Sequence, residues 1–284
     1  MRDPHSPSPA VVIGVDGSRS AMQAALWAID EAVDRDAALQ LVYAIDSSES
    51  DAGDRAAELA AAERAIHQAF TAIESTDKPV KREADIVHCL PITALMEASR
   101  SAAMLCVGST GLKHAVKGRT GSTASALAAT AHCPVAIVPG SAGPTSDGWV
   151  LAVVDGSAAD SAVLELAVSE AGLRGAPLRV LTTTPTRRSD VRQAGKAAAG
   201  NGAAAQLDRR LAAWRRNHPH ANIESTASHS GVVNHLEYLH RIAEPVQLLV
   251  VDPGRADMLL GPLGRAALDA ARCILLISDR QCWL

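Results

Sequence analysis

Aromatic side chains are scarce in this chain: four Trp, two Tyr and one Phe make up 2% of its 284 residues. A core must therefore be assembled from Ala, Val, Leu and Ile, and hydrophobic residues at 48% supply enough of them. No apolar run approaches the roughly 20 residues that cross a bilayer. The start, Met1 to Pro9, is polar and proline-rich rather than the apolar core of a secretory leader. A soluble, cytoplasmic protein without a membrane partner is expected. Excess positive charge is missing as well. A net charge of −4 and a pI near 6.2 offer no general field for nucleic acid. The five cysteines, Cys89, Cys106, Cys133, Cys273 and Cys282, form no C-x-x-C pair and no metal-ligand cluster. They read as small core residues in a reducing compartment. A P-loop motif and a nucleophile elbow are both absent.

What is present is a strict alternation. Apolar strands are expected at Ala10 to Val15, Leu39 to Ile45, Val80 to Cys89, Ala102 to Val107 and Pro134 to Val138. Helices are expected between them: about Ser20 to Arg35, with Met22, Leu26 and Ile29 at helical spacing; near Asp54 to Ser75; Ile92 to Ser101 after Pro91; and Ala124 to Ala131. A β-α repeat of this kind implies a parallel sheet covered on both faces.

Gly140 to Gly148 reads as a linker, after which the pattern restarts. Asp16-Gly17-Ser18 recurs as Asp155-Gly156-Ser157, Leu39 to Ala44 as Leu178 to Thr183, and the strand after Cys133 as Cys273 to Ile277. The chain is an internal duplication. The expected division is a leader over 1–9, a first domain over 10–140, a linker over 141–148 and a second domain over 149–284.

Val107-Gly108-Ser109-Thr110-Gly111 is followed after nine residues by Gly121-Ser122-Thr123. Glycines here leave no Cβ in the way of a ligand and permit sharp turns. Substituting Gly108 by alanine is accordingly expected to weaken a ligand and spare the fold. Gly121-Ser122-Thr123 opens a helix, where free N–H groups, the helix dipole and two hydroxyls suit a phosphate. Lys113, His114, Lys117 and Arg119 add positive charge. A second reading stands beside this one: Ser122 or Thr123 as an ordinary N-cap in an ordinary loop. In the second copy the stretch from Asp252 to Gly261 is four residues shorter, Asp252 stands for Gly108, and Pro262 stands for Ser122. That loop reads as disabled.

Tandem β-α domains, each opening with a strand and Asp-Gly-Ser, the first carrying G-x2-G-x9-G-S/T, resemble the universal stress protein family over nearly the whole chain. The resemblance implies two tandem doubly wound α/β domains with five-stranded parallel sheets of the adenine nucleotide α-hydrolase type, their fifth strands pairing between domains. It implies an adenine nucleotide, ATP with or without Mg, as ligand. The site residues it implies are Gly14, Val15, Asp16, Ala44, Val107, Gly108, Gly111, Gly121, Ser122 and Thr123, with Asp16 and Ala44 flanking the adenosine, and Lys113 joins them as a candidate by its charge between the glycines. It implies a regulatory role in stress or dormancy, and a homodimer or an intrachain pseudo-dimer. From the residues alone Asp16 also reads as the N-cap of the first helix in competition with Ser18, and Asp155 as a cap.

Two other signals read as structural. His235 and His240 lie five apart on a helix and point away from each other, so they are expected to be surface or partly buried side chains. Arg209, Arg210, Arg215 and Arg216 read as a solvated face. No general base is visible beside the glycine loop. The expected function is a nucleotide-dependent regulatory protein that is at most a very slow ATPase. An enzyme slowly cleaving ATP between its α and β phosphates, by hydrolysis or adenylyl transfer, and an interaction scaffold with a relic pocket, are the alternatives.

Overall fold

The computed structural model describes residues 9–46, 52–112, 120–140, 147–157, 159–183, 209, 211, 212, 215, 216, 222–228 and 230–279. The first half runs β1 (Val11–Gly14), α1 (Arg19–Asp34), β2 (Leu39–Ala44), α2 (Ala52–Glu74), β3 (Arg82–Val87), α3 (Pro91–Ala98), β4 (Met104–Gly108), α4 (Ser122–Thr130) and β5 (Val135–Val138). The second half gives β6 (Trp149–Val154), α5 (Asp160–Arg174), β7 (Leu178–Thr183), β8 (Ile223–Ser228), α6 (Val232–Arg241), β9 (Val246–Val251), α7 (Pro253–Leu260), α8 (Pro262–Ala271) and β10 (Ile274–Ile277). The alternation expected from the sequence is present, with ends shifted by a few residues. The third helix stops at Ala98 rather than Ser101, where the Ser99 amide bonds back to Leu95.

The strands form one sheet of ten, in the order β3-β2-β1-β4-β5-β10-β9-β6-β7-β8. Within each half all pairings are parallel; β5 and β10 meet antiparallel, with Leu276 opposite Ala136. Both fifth strands are thereby paired on both sides, so the edges of this sheet among the described residues are β3 and β8. Helices cover both faces. Trp27, Ile29, Ile73 and Leu164 are buried on one, and Leu95, Leu127, Leu236 and Leu259 on the other.

The pseudo-two-fold axis between the halves carries a buried ionic cluster. Arg35 donates to Glu31 at 2.5 Å and to Glu170 at 2.9 Å, and Arg174 pairs with the same two carboxylates. Arg174 also lies over the Trp27 ring, 5.0 Å from its centroid. Each half contributes one Glu and one Arg a helical turn apart, so the duplicated sequence closes the ring on itself.

Cys106, Cys133 and Cys273 are buried as expected, and Cys89 is partly exposed. Burial raises all three buried thiols, with Cys133 pushed up to about 12. Cys282 lies outside the described residues, as do Arg210 and 141–146 of the expected linker. Arg209, Arg215 and Arg216 are exposed, as expected of a solvated face; the Arg215 guanidinium also donates twice to the Ile223 carbonyl, at 2.9 and 3.2 Å, and ties this segment to β8.

Candidate functional site

The carboxyl ends of β1, β2 and β4 open into one cavity of about 380 Å³, which is the crevice where parallel sheets take ligands. Gly14, Val15, Asp16, Ala44, Val107, Gly108, Gly111, Gly121, Ser122 and Thr123 all line it. Lys113, His114, Lys117 and Arg119 lie outside the described residues. The cavity has two ends of different chemistry. Leu90, Pro91, Ile92 and Leu95 from α3 give it an apolar wall, while the glycine loop and the start of α4 give it a polar one.

At the polar end Gly121 is the N-cap of α4, and no side chain caps the helix. The first-turn amides are thus left without the usual acceptor, at the positive end of the dipole, and Ser122, Thr123 and Ala124 face the cavity. This departs from the reading of Ser122 or Thr123 as a cap; both lie inside the helix. The Gly121 amide itself donates to the Ser109 carbonyl at 2.9 Å, which folds the loop back on β4. A Cβ at Gly121 would meet Gly111 N at 3.6 Å, Ser109 O at 3.7 Å and Thr110 Cα at 3.9 Å, all ordinary contacts, so the cradle between these two glycines is open.

Gly108 is different. A Cβ there would lie 2.4 Å from Ser20 Oγ, 2.7 Å from the Ser20 carbonyl carbon and 2.6 Å from Ala21 N. The absent side chain makes room for the backbone of α1, not for a ligand, which corrects the expectation that alanine at 108 would spare the fold. At Gly14 the crowding is side chain against side chain, with Leu95 Cδ1 at 2.8 Å.

Asp16 lines the cavity but does not cap α1. Ser18 is the N-cap of α1, accepting from the Ala21 amide at 3.2 Å. Asp16 accepts from the Ser18 amide through Oδ1 and from the Leu112 amide through Oδ2, both at 2.9 Å. Ser20, buried, donates to the Thr110 carbonyl. Asp16, just before α1, and Ser20, in its first turn, therefore clasp residues 110–112, and neither contact was legible in the sequence. Tyr43, at the β2 side of the cavity, has its phenol pushed up by burial and by the nearby Asp16 and Glu58 charges.

The equivalent place in the second half is filled from within. Asp252 caps α7, accepting from the Gly254 amide at 2.8 Å. Arg255, on the first turn of that helix, pairs with Asp252 and reaches Asp155 Oδ2 at 2.7 Å. The shortened loop has become a helix, and a guanidinium lies between the counterparts of Asp16 and Gly108. Asp155 is not the cap of α5: it accepts from the Ser157 amide at 2.9 Å, and Asp160 receives the Asp155 and Gly156 amides. Among the described residues there is no group of three or more metal-capable side chains, His235 and His240 included. No helix among them is long and apolar enough to cross a membrane.

A sequence model of the universal stress protein family matches residues 9–139 and again 149–276. Two universal stress proteins of Mycobacterium tuberculosis are similar over most of the chain. One is 41% identical over 286 residues, covering 99% of each chain; another is 44% identical over 262 residues, covering 92% of this chain and 94% of its own. Among solved structures, a universal stress protein from Archaeoglobus fulgidus superposes with a TM-score of 0.66 at 15% identity, over 96% of this chain and 97% of that one, a likeness of fold.

Proposed function

The chain belongs to the universal stress protein family, and from that premise we propose that it is a regulatory protein that binds one adenine nucleotide, ATP, in its first half. The observation that carries the reading is the uncapped amino end of α4 facing a cavity whose glycine walls have no Cβ. That end suits phosphate oxygens, with the Ser122 and Thr123 hydroxyls as further donors. The apolar α3 wall suits a nucleoside, and Ala44 closes it at the end of β2. A Mg²⁺ ion, where present, would travel with the phosphates. The test is native purification followed by mass spectrometry of the extracted ligand. Adenine nucleotide should be released, and a chain that carries none and binds none in titration would overturn the reading.

Stoichiometry follows from the second half. Any phosphate there would have to displace Arg255 from two carboxylates and then face both of them, which is repulsive. Calorimetric titration with ATP should give one site per chain. A two-site isotherm would show that the Asp155–Arg255–Asp252 cluster opens.

Turnover should be slow. Hydrolysis needs a group that takes a proton from an oriented water. The carboxylate that touches the loop, Asp16, already accepts a backbone amide through each oxygen and so is engaged in holding residues 16–18 and 112 rather than in orienting a water. A rate far below the roughly 1–100 s⁻¹ of phosphoryl-transfer enzymes is expected. Turnover inside that range, abolished in Asp16→Asn with binding retained, would make the protein an enzyme.

A further inference from the structure

The phosphate-facing end of the first half is hydrogen-bonded to the second half through Thr120. Thr120 stands immediately before the Gly121 cap of α4, and its Oγ1 donates to the carbonyl of Leu260 at 3.0 Å. Leu260 is the last residue of α7, so the acceptor is one of the carbonyls that a helix end leaves without an intrahelical partner. Thr120 turns away from the cavity, which Gly121, Ser122 and Thr123 line without it. Helix α4 packs along α7.

Helix α7 is held rigidly at both ends. At its amino end Arg255 binds Asp252 and Asp155, joining the helix to the end of β6. At its carboxyl end α8 presses against it: a Cβ on Gly264 would lie 2.5 Å from Leu259 Cα and from Met258 O, so the two helices are in backbone contact. A helix fixed in this way presents the Leu260 carbonyl at a defined place. We infer that α7, the remnant of the second nucleotide loop, is a brace that positions the Gly121-Ser122-Thr123 cradle through Thr120, with Arg255 as a distant positioning residue.

The consequence is a division of labour between the two halves. Where the first half has an open cradle the second has an internal ion pair, and that ion pair holds the helix against which the first half's cradle is set. The brace fixes the loop before a ligand arrives, so part of the ordering cost of binding is removed in advance.

The affinity arm of the test rests on the nucleotide reading above; the exchange arm does not. In the ligand-free chain, Thr120→Val should speed amide hydrogen exchange across residues 121–125, Thr120→Ser should restore parental exchange, and the melting temperature should move little in either. Arg255→Met should speed exchange in the same segment, and the double variant should exchange no faster than Thr120→Val alone. With ATP, Thr120→Val should bind about tenfold more weakly and Thr120→Ser within twofold of the parent. Unchanged exchange in Thr120→Val overturns the brace whatever the chain binds. Additive effects of Arg255→Met and Thr120→Val remove Arg255 from it. Failure of the parent chain to bind ATP overturns the nucleotide reading alone, and exchange then still decides the brace.

Discussion

Truncating Glu170 to alanine should cost about 3–5 kcal/mol of stability, the usual consequence of removing one partner from a buried ion pair. Both carboxylates of the cluster at the pseudo-two-fold axis are fully buried, and each receives two guanidinium groups, one from each half. Without Glu170, Arg35 and Arg174 share a single carboxylate, and one positive charge is left uncompensated between the halves. For a chain of this length the fall in Tm should be on the order of 10 °C. Replacing all four side chains together by Leu and Met should recover most of the loss, because no buried charge then remains. Thermal unfolding of the two variants measures this. A Glu170→Ala chain melting within a degree or two of the parent would mean that water reaches the cluster and screens it.

The same cluster sets a pH dependence. Burial, and then the neighbouring Glu170 charge, push Glu31 up to about 7 against the pull of Arg174 and Arg35. A carboxyl whose folded value lies above its unfolded value holds an extra proton in the folded state across that window. Its contribution is fully present below the ordinary carboxylate value of 4.5 and is lost as pH rises to about 7. In Glu170→Ala one of the two upward pushes is gone, so the decline across that window should be shallower than in the parent.

Much of this molecule could be read from its residues, and what escaped has a common cause. Strand and helix order, the duplication and the glycine loop follow from local periodicity and from glycine and hydroxyl spacing, which act within a few residues of each other, while Gly14, Val15 and Ala44 on the cavity wall are implied by the family resemblance. The contacts that escaped join segments far apart in the chain. Glu31 and Arg35, like Glu170 and Arg174, form an ordinary i,i+4 pair in the sequence; that the two pairs face each other is a product of the β5–β10 pairing. Arg255 carries no motif, and only the fold brings it to Asp155. The second loop read as disabled by what it lacks, a glycine and a hydroxyl, whereas the structure shows what replaced them. Asp16 read as a ligand or cap residue; Ser18 takes the cap, and the bond from the Leu112 amide to Asp16 joins residues 96 apart in the chain.

Gly108 is where the two readings of a glycine part most sharply, and substitution separates them. Alanine at 108 would drive its Cβ into the Ser20 carbonyl carbon and Ala21 N, both backbone atoms of α1, at 2.7 and 2.6 Å. Rotating a side chain cannot relieve that contact, so β4 and α1 must separate. Overpacking of a buried site costs about 1–3 kcal/mol, and backbone on the receiving side places this variant at or above the upper end. The separation also breaks the clasp that Ser20 makes on Thr110, so nucleotide affinity should fall with stability. Gly121→Ala is the matched comparison. Its Cβ reaches nothing closer than 3.6 Å in the ligand-free chain but occupies the cradle between Gly111 and the start of α4. That variant should keep the parental Tm to within about 1 kcal/mol of stability, the cost of alanine at an N-cap. Its ATP binding should weaken tenfold or more, about 1.4 kcal/mol or above. Paired thermal melts and ATP titrations decide the matter. Parental melting in Gly108→Ala would show that α1 yields, and parental affinity in a folded Gly121→Ala would place the phosphates somewhere other than the glycine cradle.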